Sequence, residues 1–131
     1  MIKIMIPKSF DVVAPYFEKL EHQKYLYIVA MDDDELQVII RFKYKDDIVD
    51  VYEILEIAPN VSGAILDGIV RTMLFQMADL DCTTCRFHQI PERMKGYFEN
   101  HGFTDCGEFQ EHQDFANEFF KPCPGCGGDV D

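Results

Sequence analysis

The sequence predicts one α/β (α+β) domain: a mixed, mostly antiparallel sheet with helices on both faces and one central parallel βαβ unit. Three observations carry that prediction. Residues 25–31, 36–44 and 48–57 are runs of β-branched and aromatic residues, separated only by the acidic clusters Asp32-Asp33-Asp34 and Asp46-Asp47. Such runs joined by short turns read as an antiparallel meander. A long apolar stripe then leads from the third run to a fourth at 83–88, and strand–helix–strand demands a parallel pair with a right-handed crossover. Finally, 131 residues with 47% hydrophobic content suffice for one core and too few for two domains of ordinary size.

Each element has a local reason. Ile2, Ile4 and Ile6 alternate as in a strand. Ser9 can cap a helix carrying Phe10, Val13, Phe17 and Leu20 on one side, kinked or delayed by Pro15. After 48–57, the stretch from Pro59 to Gly63 breaks the chain, and Leu66, Val70, Met73, Leu74 and Met77 mark one face of a long helix. Met73 and Met77 are read as core. Pro91 suits the first position of a second helix, which Gly102 ends as C-cap. Strands are predicted from Phe103 and again over 115–120. Residues 1–120 form the domain, and 121–131 form a Cys- and Gly-rich tail.

Composition narrows the partners. The net charge of −12 repels nucleic acid and anionic membranes, and suits a neutral or cationic small molecule. Much of that charge sits at predicted turn tips, where carboxylates are ordinarily solvated. The Asp32–Glu35 cluster lacks the glycine that a calcium loop needs for its sharp turn. Residues 1–7 are too short for a secretory leader and no apolar run reaches membrane length, so a cytoplasmic setting is expected.

Two short stretches carry a family resemblance. Glu53-Ile54-Leu55-Glu56-Ile57-Ala58-Pro59 is similar to the fourth strand and proline corner of the GNAT superfamily of acyl-CoA-dependent N-acetyltransferases. Tyr97-Phe98-Glu99-Asn100-His101-Gly102-Phe103 resembles the close of that family's fourth helix. The resemblance implies acetyl-CoA as co-substrate, in a cleft where the fourth and fifth strands part. Its pantetheine arm would pair with the backbone of Leu55, Glu56 and Ile57. Its pyrophosphate would sit on the N–H groups of the next helix, at Ser62, Gly63 and Ala64, where backbone donors and the helix dipole favour an anion. A small amine, cationic if the acidic surface is a guide, would be the acyl acceptor.

The chain departs from the family pattern at three places. Ser62 and Ile65 stand where the pyrophosphate loop carries a basic or amide residue and a small one. Phe98 replaces the tyrosine acid, leaving water or the adjacent Tyr97 for that role. Pro91 falls on the family's asparagine. A non-catalytic binding or regulatory module on the same fold, with a vestigial cleft, is therefore the alternative reading.

For the base, Glu53 is read as sharing a strand face with Val49, Val51, Leu55 and Ile57. A carboxylate among apolar neighbours resists ionisation, as a general base for an ammonium requires. An edge or bulge position at which Glu53 simply meets water is the competing reading. Glu56 is the substitute if a bulge swaps faces. His88 at the end of the fifth strand can relay protons or do nothing.

The five cysteines divide into Cys82-x-x-Cys85, Cys123-x-x-Cys126 and the single Cys106. Two such pairs can supply the four thiolates of a structural zinc site if the fold brings them together. Free thiols and a disulfide are the other readings. Cys106 is expected to be at least half-buried as a small hydrophobe.

Overall fold

In the computed structural model, which describes residues 1–17 and 25–120, the chain runs β1 (Ile2–Met5), β2 (Leu26–Asp32), β3 (Glu35–Lys45) and β4 (Ile48–Glu56). It continues as α1 (Gly63–Asp79), β5 (Thr84–Phe87), α2 (Lys95–Asn100), β6 (Thr104–Asp105), β7 (Gln110–His112) and α3 (Phe115–Glu118). The strands form one sheet in the order β1-β2-β3-β4-β5-β7-β6. Among the described strands only β4 and β5 pair in parallel; the remaining neighbours are antiparallel.

The meander turns as the acidic clusters predict. Asp33 and Asp46 take left-handed backbone angles, with φ of 55° and 58°, a conformation that aspartate tolerates better than bulkier residues. The amino terminus reaches Asp32 at 3.2 Å and Asp33 at 3.0 Å, so part of the acidic charge closes the β1–β2 edge.

The predicted stripe of α1 is buried in full. Leu66, Val70, Met73, Leu74 and Met77, joined by Ile69, pack on Ile28, Ile40, Val49, Val51 and Ile54 of the sheet. Each such side chain contributes roughly 1.5–3 kcal/mol of burial, which is what holds the crossover down. Phe98 of α2 and Phe115 of α3 join this same core. The opposite face is covered, among the described residues, by Phe10, Val13 and Phe17 over Tyr27, Val29 and Ile39.

Four expectations are corrected. The helix after Ser9 is two 3-10 turns, Phe10–Val12 and Ala14–Tyr16, with Ser9 Oγ accepting the Asp11 N–H. Pro15, having no N–H, stops an α-helix from propagating there; Leu20 lies outside the described residues. Residues 115–120 are not a strand. Asp114 opens α3 by accepting the N–H of Glu118 at 2.9 Å, and Phe115 and Phe119, four apart, are both buried. That spacing is helical, and aromatic content alone misreads it. Pro91 is extended, with ψ of 141°, and lies outside the helix. A 3-10 turn at Glu92–Met94 separates it from α2, which Gly102 ends at φ 84°. Cys106 is exposed rather than buried. No helix among the described residues is long and apolar enough to cross a membrane.

Candidate active site

The sheet opens between β4 and β5. Parallel pairing runs from Ile48 with Thr84 to Val51 with Phe87, and the His88 N–H adds a last bond to the Val51 carbonyl at 2.8 Å. Beyond it β4 continues to Glu56 paired, among the described strands, with β3 alone. The edge that carries Leu55 and Glu56 therefore has no β5 partner.

A bulge sits at this point of parting. Arg41 faces Glu53 and Phe42 faces Val51, so Tyr52 is an extra residue without a partner on β3. The extra residue changes which side chains share a face. Val49, Val51 and Ile54 point to the α1 side, whereas Leu55 and Ile57 pack on the opposite side with Val29 and Ile39. Glu53 thus keeps company with Leu55 and Ile57 but not with Val49 and Val51, which corrects the face read from simple alternation. It pairs with Arg41 at 3.6 Å. Glu56, across from Val38, lies on the α1 side.

Glu56 is held by Arg93, whose guanidinium also donates to the Val61 carbonyl. Arg93 follows β5, so this contact bridges the gap between the parted strands. Just beyond it, Ser62 caps α1. Its hydroxyl accepts the Ile65 N–H at 3.2 Å and its carbonyl accepts that of Leu66 at 3.2 Å. Gly63 and Ala64 are exposed, and a Cβ built on Gly63 meets nothing within 4 Å. Ile65 packs against the core rather than over this surface.

Tyr97 is turned elsewhere. Its hydroxyl donates to Asp67 at 2.6 Å, and Asp67 also receives Arg71 at 2.9 Å. Burial first, and then the bond to Asp67, push the Tyr97 phenol far up from its ordinary value. Arg71 and His101 complete this cluster, with His101 stacked on Phe119. Phe98 is wholly buried against Phe87 and Phe103, at ring distances of 4.7 and 4.9 Å.

A second constellation lies at the parting point, and the sequence reading caught only half of it. His88 Nε2 lies 2.8 Å from Asp50 Oδ1. The His88 ring stacks on Tyr52, with centroids 4.9 Å apart and planes within 8°. Phe109 leans on it from 5.4 Å. Sequence inspection singled out His88 but not Asp50. The missing signal was register: Asp50 stands opposite Arg86, two residues before His88, on a strand face that only the parallel pairing defines.

Cys82 and Cys85 are both wholly buried in the main core, and burial is the first cause that pushes both thiols up. Cys123 and Cys126 lie outside the described residues. Among the described residues no group of three His, Cys, Asp or Glu side chains is placed to hold a metal.

No protein-family model and no curated protein sequence matches the chain. Solved structures match it by shape. The paia N-acetyltransferase of Thermoplasma acidophilum, in complex with coenzyme A, has a TM-score of 0.62 at 14% identity, over 86% of this chain and 99% of that one. A GNAT-family acetyltransferase of Brucella melitensis, in complex with acetyl-CoA, gives 0.60 at 16%, over 94% and 90%. The ribosomal-protein-S18-alanine N-acetyltransferase of Escherichia coli gives 0.63 at 12%, over 85% and 90%. The chain has the fold of the GNAT acetyltransferases, at the low identity of a divergent sequence.

Proposed function

We propose that this protein is an acyl-CoA-dependent N-acetyltransferase acting on a small amine. The observation that carries the reading is the β4 edge beyond Val51, left without a β5 partner at the bulge. An unpaired strand edge is a row of backbone donors and acceptors, and an extended amide-containing chain such as pantetheine can pair with it as a strand would. Leu55, Glu56 and Ile57 supply that edge in this reading. The exposed Gly63 and Ala64, at the start of a 17-residue helix, lie next along the chain to meet the pyrophosphate with their N–H groups. Solved structures of the same fold in complex with coenzyme A or acetyl-CoA support the same co-substrate.

Glu53 and Glu56 lie along the stretch of β4 beyond the parting point, and either would have to release an arginine before taking a proton from an amine. Tyr97 would have to leave Asp67 to serve as the acid. The net charge of −12 favours a cationic acceptor.

One observation favours the alternative of a non-catalytic module: the Arg93 bridge lies across the opening that a pantetheine arm would enter. Calorimetric titration with acetyl-CoA and with free CoA tests the proposal. Saturable binding of both is expected; no heat and no thermal shift at millimolar ligand would exclude it.

The zinc reading of Cys82, Cys85, Cys123 and Cys126 rests on the spacing of the two pairs alone. Burial of the first pair among apolar side chains fits ordinary core thiols equally well. Stoichiometric zinc in protein purified without chelator would favour the metal.

A further inference from the structure

We propose that His88 is the proton acceptor of this site and that Asp50 is the residue that positions it. The proposal rests on the acyl-transfer reading above and names the base within it.

The geometry fixes the tautomer. An ionised carboxylate can only accept a hydrogen bond, so the 2.8 Å contact places a proton on His88 Nε2. The lone pair of neutral His88 then lies on Nδ1, which has no hydrogen-bond partner among the described residues. A carboxylate behind one ring nitrogen fixes the ring and stabilises the imidazolium that forms when the other takes a proton.

The surroundings hold the ring in place. Tyr52, on the same face of β4 as Asp50, stacks on the ring, and Phe109 packs at an angle to it. The side chain keeps 28% exposure, enough for a substrate to reach it. The backbone of His88 makes the last bond of the β4–β5 pairing, so the ring stands where the opening begins. The two glutamates lack these properties. Glu53 faces Arg41, and Glu56 is bonded to Arg93 at 2.7 Å on the α1 side of the sheet.

The acceptor's ammonium gives one proton to His88 Nδ1, and the freed lone pair forms the C–N bond at the acyl carbonyl. The C–S bond breaks with its electron pair on sulfur, and the imidazolium returns its proton to the thiolate. The attacking nitrogen loses its second proton to water.

The test uses the full chain. Long-range ¹H–¹⁵N spectra of the native protein should show neutral His88 as the Nε2–H tautomer, and the Asp50→Asn variant should lose that preference. A native Nδ1–H tautomer overturns the proposal whatever the variants do. Calorimetry with acetyl-CoA should give equal affinity for native protein and His88→Gln. Thiol release from acetyl-CoA, with spermidine, glutamate or tyramine as probe acceptors, should fall at least about 100-fold in His88→Gln. Asp50→Asn should lower the rate without changing acetyl-CoA affinity. Full activity in His88→Gln overturns the assignment while leaving acyl transfer intact. A native protein that binds acetyl-CoA but releases no thiol with any probe also overturns it, leaving binding intact. Failure to bind acetyl-CoA at all removes the underlying reading and the proposal with it.

Discussion

Arg93 and Glu56 meet at 2.7 Å, and their contact joins the segment after β5 to the end of β4 across the gap between the two strands. The same guanidinium donates to Val61 just ahead of α1. An ion pair this exposed contributes about 0–1 kcal/mol, so the bridge is easily opened by a ligand that replaces it. Arg93→Ala should therefore leave the melting temperature nearly unchanged and tighten acetyl-CoA binding by up to about fivefold, the equivalent of that energy. Weaker binding in the calorimeter would mean instead that Arg93 contacts the ligand.

His112 gives the fold a pH dependence of known sign. Burial is the first cause that lowers its proton affinity below the ordinary value of 6.5, and its Nδ1 accepts the Asp114 N–H at 3.1 Å. Above the ordinary value both folded and unfolded chains hold it neutral. As pH falls below 6.5 the unfolded chain takes the proton first, so stability is lost down to the depressed folded value. Unfolding curves of native protein and His112→Gln should show the stability gap narrowing from pH 7 to pH 5, about the range over which an imidazole charges. A constant or widening gap contradicts this.

The cap of α1 can be weighed separately from ligand binding. Ser62 Oγ accepts the Ile65 N–H, and Ser62→Ala removes that acceptor. A loss of about 1 kcal/mol is expected, read as a lower denaturant midpoint with unchanged slope. Ser62→Asp should restore most of it, because a carboxylate caps equally well.

Much of this fold was legible because its signals are local and periodic. The α1 stripe repeats at three- and four-residue steps, and every predicted member of it is buried. The acidic turns declare themselves by two aspartates with positive φ. The site was less legible because it depends on long-range register. One unpaired residue, Tyr52, decides that Glu53 leaves the face of Val49 and Val51, and nothing in the local sequence marks it as a bulge. Arg93 lies 37 positions from Glu56, and Asp50 lies 38 from His88. Such pairs become visible only when the sheet is assembled. The misread strand at 115–120 has the opposite cause: aromatic residues favour strands in general, but Phe115 and Phe119 are spaced for a helix.

The cysteines should separate by reactivity. Cys106 is exposed, while Cys82 and Cys85 are buried with both thiols pushed up by burial. A disulfide-exchange reagent at neutral pH should label Cys106 within minutes and reach Cys82 and Cys85 only on unfolding, because the thiolate is the reacting species. Peptide mapping of the labelled protein checks this. Prompt labelling of Cys85 would mean that the core around β5 opens far more readily than its packing implies.

Backbone hydrogen exchange with and without saturating acetyl-CoA addresses the open β4 edge most directly. Protection is expected to rise over residues 52–57, where β4 has no β5 partner, and at Gly63 and Ala64 at the start of α1. Bound acetyl-CoA that leaves those amides unprotected, or protects a different edge of the sheet, would contradict the assignment.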